Sequence, residues 1–148
     1  MHITRYTDYA LRVLMYVALK GGQQCTIAEI ADSYQVSKNH LMKVVQDLNN
    51  QGYLIASRGK NGGLRLKDDA GDINIGELIR NTEQDFALVE CFHADSNCAI
   101  DSACRLKKVF SEALESFFET LDQYTLADLL PKRNQPALIR YLGINIEA

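Results

Sequence analysis

Apolar residues recur at helical spacing through most of the first fifty residues. The first such run extends from Thr7 to Lys20 and ends at the pair Gly21-Gly22, which indicates an amphipathic helix. Thr26 and Glu29 then have the spacing of a capping box, in which the side chain of each satisfies the backbone N–H of the other. The pattern therefore predicts a second helix that begins there and ends near Tyr34.

A third helix is predicted from Ser37, a candidate N-cap, to Gly52. Its apolar positions recur three and four residues apart: Leu41, Val44, Val45 and Leu48. The turn between the second and third helices is only about three or four residues long, which is typical of a helix-turn-helix.

The spacing changes from helical to alternating after Gly52. Residues 53–57 and 64–66 read as two strands, and the glycine-rich residues 58–63 between them form a turn. A helix-turn-helix followed by such a hairpin predicts a winged helix. The expected fold class is mainly α with a small β-hairpin wing.

The second half of the chain contains one long amphipathic helix, predicted from Cys104 to Tyr124. Its apolar stripe comprises Leu106, Val109, Phe110, Ala113, Leu114, Phe117, Phe118, Leu121 and Tyr124. A stripe this wide needs a cover, and the same helix of a second subunit would supply one. The alternative is packing onto the winged helix of the same chain.

The remaining elements complete a division into five segments. Residues 1–72 form the winged helix-turn-helix DNA-binding domain, and 73–90 form a connecting helix and hinge. Residues 91–104 form a cysteine loop, and 105–130 hold the dimerisation helix and a short capped helix that Pro131 ends. Residues 131–148 are a tail whose sequence gives no clear pattern.

The distribution of charge also divides the chain, close to the end of the predicted winged helix. Residues 1–67 hold nine Lys and Arg against four Asp and Glu, whereas the rest holds seven against fifteen. A basic first half predicts an anionic partner for that half, although an unevenly charged solvated surface is the alternative.

Double-stranded promoter DNA is the partner that this basic surface fits. Polar and basic side chains at the start of the third helix can reach base edges and phosphates in the major groove, and cations at a wing tip can enter the minor groove. The candidate contacts are Ser37, Lys38, Asn39, His40, Lys43, Arg58, Lys60 and Asn61. The alternative is a helix-turn-helix that serves only for packing or protein docking.

Three cysteines, Cys91, Cys98 and Cys104, lie within fourteen residues of small, polar and acidic sequence. Their spacing differs from the closely paired cysteines of structural zinc sites. An iron–sulfur cluster fits this irregular spacing better, and a thiol redox switch or unligated cysteines are the alternatives. Cys25 stands apart at a helix entry, where a small apolar structural residue is expected.

The sequence argues against several other classes of protein. It has no run of eighteen apolar residues and no apolar signal-peptide core, so we expect no membrane span and a cytoplasmic protein with reduced thiols. It shows no nucleophile–base pair and no phosphate loop, since Gly59, Gly62 and Gly63 belong to the wing. We therefore expect a protein that is not an enzyme.

Taken together, these motifs resemble the NsrR/IscR family of winged-helix iron–sulfur transcription regulators, over nearly the whole chain. The resemblance rests on residues 6–12, 36–41, 58–63, 104–106 and 124–129. It implies a homodimer that binds palindromic promoter sites. It also implies one cluster per subunit, [4Fe-4S] in preference to [2Fe-2S], held by the three cysteines of each subunit.

The fourth ligand separates the members of this family. The cluster-biogenesis members have a histidine three residues after the last cysteine, where this sequence has Lys107, a poor ligand because it is cationic at neutral pH. The chain instead resembles the NsrR-type, nitric-oxide-sensing members, in which an N-terminal aspartate from the partner subunit is the ligand. Asp8 occupies that place, and His93 is the alternative ligand.

The resemblance therefore implies a repressor that releases DNA when nitric oxide reacts with the cluster. Two other functions stay open at this point: a sensor of cluster supply or redox state, and a regulator that responds to thiol oxidation or metal without a cluster.

Overall fold

A computed structural model describes residues 2–147; Met1 and Ala148, at the outer ends of the first and last predicted segments, lie outside the described residues. Its helices are α1 (Arg5–Leu19), α2 (Ile27–Tyr34), α3 (Lys38–Asn50), α4 (Ile75–Thr82), α5 (Leu106–Leu121) and α6 (Gln135–Leu142). Its strands are β1 (Leu54–Ser57) and β2 (Gly63–Leu66). This composition confirms the predicted fold class, mainly α with a small β hairpin.

The first three helices begin where the sequence pattern predicts helix starts. Thr26 and Glu29 form the capping box of α2, with both hydrogen bonds present. Ser37 is the N-cap of α3 but makes no side-chain capping hydrogen bond, which leaves its hydroxyl available to solvent or to a ligand. The helix α1 starts two residues earlier than the apolar pattern indicates, because Thr4 caps it by accepting a hydrogen bond from the Thr7 amide.

The two strands pair antiparallel, with Leu54 opposite Leu66 and Ser57 opposite Gly63. A third segment joins this hairpin, since Cys25 and Leu64 exchange two backbone hydrogen bonds. Cys25 is 2% exposed and lies in the core with Leu64. The prediction of a structural, apolar role for Cys25 agrees with this position.

One apolar core holds the winged helix together. Its members come mainly from α1, α3, α4 and the wing, and the most deeply buried side chains include Leu14, Ile30, Leu41, Leu48, Leu54 and Leu78. Because the apolar stripes of α1 and α3 face each other here, the polar face of α3 is left to solvent.

The helix α4 is locked to the end of α5. Arg80 makes a bidentate ion pair with Asp122, at 2.6 and 2.8 Å, and stacks over the ring of Phe118. Gly76 lies so close to the Asp122 carboxylate that a Cβ at this position would collide with it. The amide of Ile75 donates to the carbonyl of Tyr124, which extends the joint along the backbone.

The apolar stripe of α5 is covered over only part of its length. In its C-terminal half, Phe118 is buried and Leu114, Phe117 and Leu121 pack partly against the core of the same chain. In its N-terminal half, Leu106 and Val109 are more than half exposed. Intrachain packing therefore accounts for one half of the predicted stripe and leaves the other half in solvent.

The chain beyond Pro131 is better ordered than its sequence pattern suggested. The predicted tail contains α6, which begins with Pro136 in its first turn and ends at Gly143 in the left-handed conformation. The end of the chain then folds back on the first helix, where Lys20 donates to the Asn145 carbonyl and Ile144 is buried. Within the described residues, no helix has the length and apolar character needed to cross a membrane.

Candidate nucleic-acid interface and cysteine segment

The start of α3 presents its predicted DNA contacts together on one exposed face. Ser37, Lys38, Asn39, His40 and Lys43 are all exposed. None of the ion pairs among residues 2–147 involves Lys38 or Lys43, so neither charge is neutralised within the chain. Free cations and polar groups at a helix N-terminus are well suited to phosphates and base edges.

The wing tip presents the second predicted group. Arg58, Lys60 and Asn61 are exposed, and the tip is closed by a hydrogen bond from the Gly62 amide to the Gly59 carbonyl. A Cβ at Gly62 would collide with the Ser57 carbonyl, so only glycine permits this tight a tip.

The wing is fixed to α3, the candidate recognition helix of the helix-turn-helix, by one of the side chains of that helix. Asn49 of α3 accepts a hydrogen bond from the Ala56 amide in β1, at 3.1 Å. At the other side of α3, the Tyr6 hydroxyl of α1 donates to Asp47 at 2.8 Å. Burial and then this hydrogen bond keep the pKa of Tyr6 well above its usual range, so the hydroxyl stays protonated as a donor.

Arg5 belongs to the same surface and was missed in the sequence. It lines a cleft with Asn39, His40 and Lys43, between the start of α1 and the start of α3. A cation in the first turn of a helix is opposed by the helix dipole, and Arg5 has no carboxylate partner among the described ion pairs. Its unfavourable position at the helix start was the available signal, but only the packing of α1 on α3 brings it to this cleft.

The three predicted cluster ligands lie on separate parts of an open segment. Cys91 is half-buried in a short 3₁₀ turn at Glu90–Phe92, Cys98 is exposed, and Cys104 is half-buried just before α5. We call residues 83–105 the cysteine segment; no residue in it is fully buried. Among residues 2–147, no three His, Cys, Asp or Glu side chains come close enough to hold a metal ion.

The donor chemistry of the segment nevertheless fits an iron–sulfur cluster. All four cysteines of the chain are free, and the three in the segment are reachable from solvent. Three thiolates on a segment without a fully buried residue can close around a soft metal centre and leave one coordination position for another ligand. Ser96 Oγ, between the cysteines, is buried without a hydrogen-bond partner, and Asp101 Oδ1 has only an ion-pair contact with Lys107, so this conformation of the segment leaves polar groups without hydrogen bonds.

Cys25 differs from these three thiols in its environment. Burial, followed by the nearby Glu29 carboxylate, raises the pKa of the Cys25 thiol to about 12. A neutral thiol in an apolar core is a poor metal ligand, because the thiolate is the form that binds metal.

Asp8, the predicted fourth ligand, lies on α1 and pairs with Arg12 of the same helix, at 2.9 Å. Its side chain is 44% exposed, so another subunit can reach the carboxylate. His93 is exposed in the cysteine segment, 3.9 Å from the Asp85 carboxylate. Lys107 faces Asp101 at 3.7 Å and is therefore engaged with a carboxylate.

Comparison with known proteins decides the family. A family model described as "Rrf2: Iron-dependent Transcriptional regulator" matches residues 3–132. The chain belongs to the Rrf2 family. Its relatives include the HTH-type transcriptional regulator NsrR of Bacillus licheniformis, 51% identical over 88% of this chain and 92% of that protein. The NsrR of Oceanobacillus iheyensis is 47% identical over 97% of this chain and 98% of that protein.

Solved structures of the Rrf2 family share the architecture. CymR, the global cysteine regulator of Bacillus subtilis, superposes with a TM-score of 0.70 at 26% identity, over 87% of this chain and 95% of that one. The IscR of T. potens superposes with a TM-score of 0.68 at 23% identity, over 88% and 86% of the two chains. The latter similarity establishes the fold alone.

These relatives make the chain an NsrR-type Rrf2 regulator that binds DNA and acts in transcription. The expectation that it is not an enzyme is confirmed, since the relatives are named transcriptional regulators. The predicted DNA contacts and cluster ligands themselves stay predictions.

Proposed function

We propose that this Rrf2 regulator is an iron–sulfur repressor that responds to nitric oxide. It binds palindromic promoter DNA as a homodimer in the cytoplasm, holds one cluster per subunit, and releases the DNA in the presence of nitric oxide. A [4Fe-4S] cluster is favoured over [2Fe-2S]. The name of the NsrR relatives and the iron dependence in the family description support this proposal.

The observation that carries the proposal is the contrast between the four thiols. Three of them lie on a segment without a fully buried residue, while the fourth is sealed in the core. Cys91, Cys98 and Cys104 would hold the cluster, and Cys25 would not. When bound, the cluster supplies iron that reacts with nitric oxide.

The remaining coordination position is best supplied by Asp8 of the second subunit. Its carboxylate is accessible and lies on the first helix, whose opposite face packs in the core of the winged helix. A bond from Asp8 would tie the winged helix of one subunit to the cysteine segment of the other. Arg12, which already holds the carboxylate, would keep it oriented.

The exposed half of α5 supports the homodimer. Leu106 and Val109 are more than half exposed, and they follow Cys104 directly. Exposed apolar residues in contiguous helical turns mark an interaction surface. A second copy of α5 packed here would place the cysteine segment at the subunit junction, within reach of the partner.

A second function is favoured by the exposure of the same thiols. Three accessible cysteines that are not gathered into a site also suit a regulator that responds to thiol oxidation without a cluster. Iron and sulfide counts on anaerobically prepared protein separate the two functions, because only the first requires both elements.

The test compares Cys98→Ala with Ser102→Ala, an exposed control in the same segment. We expect the control to bind iron and sulfide as the unmodified protein does and Cys98→Ala to lose both. Cys98→Ala should also lose operator affinity by about a thousandfold, or roughly 4 kcal/mol. Full repression and a full response to nitric oxide in Cys98→Ala would overturn the proposal.

A further inference from the structure

The first turn of α1 lies between the end of α3 and the residues that enter the cysteine segment. On one side lie Lys43 and Asp47 of α3 and its C-cap residue Gln51, and on the other lie residues 81–85, where the chain enters the cysteine segment. A cavity of about 570 Å³ separates them, and Thr4 and Tyr6 line it from between the two sides.

Hydrogen bonds attach this turn firmly to the entrance of the cysteine segment. The amide and the hydroxyl of Thr4 both donate to Glu83 Oε1, at 2.7 and 2.8 Å. The Thr7 hydroxyl donates to Thr82 Oγ1 at 3.0 Å, and both threonines are buried. Thr82 in turn donates to the Leu78 carbonyl inside α4. Buried polar groups that are fully hydrogen-bonded define a single arrangement of the elements they join.

One hydrogen bond attaches the same turn to the recognition helix. The Tyr6 hydroxyl donates to Asp47 Oδ2, at 2.8 Å, in the last turn of α3. Asp47 follows Lys43, an exposed candidate DNA contact, by about one helical turn. A shift of Tyr6 would therefore displace the DNA-reading face of α3.

We propose that the Glu83–Thr4 and Tyr6–Asp47 hydrogen bonds form a relay through which the cysteine segment sets the position of the recognition helix within one subunit. Tyr6, Thr4 and Glu83 are positioning residues in this relay and contact neither DNA nor metal. The input at the cysteine segment rests on the proposed function, whereas the mechanical link belongs to the chain alone. Coupling of this kind requires that a change at one end be felt at the other.

Tyr9 provides a matched control for Tyr6. It lies on the same helix, one turn further along, and is likewise half-buried. Within the described part of the chain, the Tyr9 hydroxyl makes no hydrogen bond. Tyr9→Phe therefore removes an equivalent oxygen and leaves the Tyr6–Asp47 hydrogen bond in place. Asp47→Asn is a second variant that weakens the same link from the α3 side.

The first experiment uses cluster-free protein and measures hydrogen exchange of the α3 amides. In protein that retains Tyr6, Glu83→Ala should raise the amide hydrogen-exchange rates of residues 38–50 by about threefold or more, because Thr4 loses its hydrogen-bond acceptor. In a Tyr6→Phe background, adding Glu83→Ala should change that exchange by less than about twofold, since the link is already cut. Tyr9→Phe should leave the response to Glu83→Ala intact.

Two results would overturn the relay. The first is that Glu83→Ala and Tyr6→Phe change the amide exchange rates of α3 independently, so that their effects multiply in the double variant. The other is an unchanged α3 in Glu83→Ala while the protein stays folded by circular dichroism. Either result would show that Glu83 and the recognition helix are not coupled through Tyr6.

The second experiment measures operator affinity of anaerobically iron- and sulfide-loaded protein before and after nitric oxide. The unmodified protein and Tyr9→Phe should lose about tenfold or more in operator affinity after nitric oxide is added. Tyr6→Phe and Asp47→Asn should have the same visible absorption as the unmodified protein when loaded, but should lose less than about threefold in affinity. An equal loss in all four proteins would contradict the relay. If the operator affinity of the unmodified protein does not change with nitric oxide, the proposed function fails. The hydrogen-exchange experiment on cluster-free protein then still decides whether the relay exists.

Discussion

The winged-helix half of the molecule, which is the proposed DNA-reading half, and the cysteine segment are built in opposite ways. Residues 5–82 enclose an apolar core whose central side chains are inaccessible to solvent, and their candidate DNA contacts project from that rigid support. Residues 83–105 contain no fully buried side chain. The start of this segment is attached to the rest of the chain through Glu83, which accepts from Thr4, and Phe86, which packs on Phe118, and local turns follow. A single chain is sufficient to form the first region, whereas the second has the character of a region completed by a ligand and a partner subunit.

The difference suits the proposed combination of DNA recognition and sensing in one small chain. A DNA-reading face must keep its geometry, so it rests on a core that resists deformation. A sensing segment must change state, so it is drawn from the part of the chain with few buried apolar contacts. The first turn of α1 connects the two regions, because Thr4 donates two hydrogen bonds to Glu83.

The largest expected difference between the regions is in thiol reactivity. In cluster-free protein at pH 8, Cys91, Cys98 and Cys104 should be alkylated by iodoacetamide more than about a thousandfold faster than Cys25. Burial raises the pKa of Cys25 to about 12, so almost none of this thiol is ionised at pH 8, and the core also excludes the reagent. Mass spectrometry of digested protein measures the four rates. Comparable labelling of Cys25 in folded protein would contradict the assignment of this residue to the core.

A matched pair of leucines should separate the regions by stability. Leu48 is fully buried in α3, whereas Leu88 is only half-buried in the cysteine segment. Leu48→Ala should lower the free energy of unfolding by about 2–5 kcal/mol, because it leaves a cavity in a packed core. Leu88→Ala should cost about 1 kcal/mol or less in cluster-free protein. Urea denaturation measures both, and equal losses would erase the proposed distinction between the regions.

A carboxylate introduced into the exposed half of α5 should weaken dimerisation only if a second subunit covers this half. Val109→Glu is expected to weaken dimerisation by about a hundredfold, or roughly 2.7 kcal/mol, because a carboxylate would be buried without a partner. Ser111→Glu introduces the same charge at an exposed position outside the apolar stripe and serves as the control. Analytical ultracentrifugation measures the association. An unchanged dimer in Val109→Glu would place the subunit interface elsewhere.

The smallest expected effects concern single cations on the DNA-reading half. Arg58→Ala at the wing tip should weaken operator binding by about 1–3 kcal/mol and relax specificity if the side chain reaches base edges. Arg5→Ala, beside the recognition helix, should weaken binding to all sequences alike and reduce the salt slope of log Kd by about one, because a phosphate contact is lost. Lys132→Ala, an exposed cation in the second half, is the control. A salt slope that is unchanged in Arg5→Ala would remove this residue from the interface.

The sequence was most informative where local chemistry determines structure. The Thr26–Glu29 capping box, the apolar spacing of α3 and the glycines of the wing tip all correspond to observed elements. Each of these features acts over a few residues, so the pattern contains the cause.

What the sequence pattern missed depends on contacts between distant residues. The strand-like pairing of Cys25 with Leu64 requires the wing to return to the start of α2. The helix α6 carried its own signals in Pro136 and Gly143, but its docking depends on the buried Lys20, more than a hundred residues away. The hydrogen bond from Tyr6 to Asp47 likewise joins residues that no local pattern relates.

The cysteine segment differs from both cases. Its three thiols were recognised as candidates from their spacing, yet the single chain does not gather them. A site completed by a metal centre and by Asp8 of a second subunit is not determined by the packing of one chain, so neither apolar spacing nor the fold of that chain can assemble it.

In the proposed function, the cysteine segment is a sensor that controls DNA binding by the rigid DNA-reading half. Anaerobic protein with counted iron and sulfide should be bound to operator DNA and titrated with nitric oxide, while visible absorption and fluorescence anisotropy are followed together. We expect the absorption change and the release of DNA to occur over the same range of nitric oxide added per cluster, with a final loss of affinity of about a thousandfold. Protein that lacks iron and sulfide yet binds the operator fully, or loaded protein that stays on DNA after its absorption has changed, would contradict it.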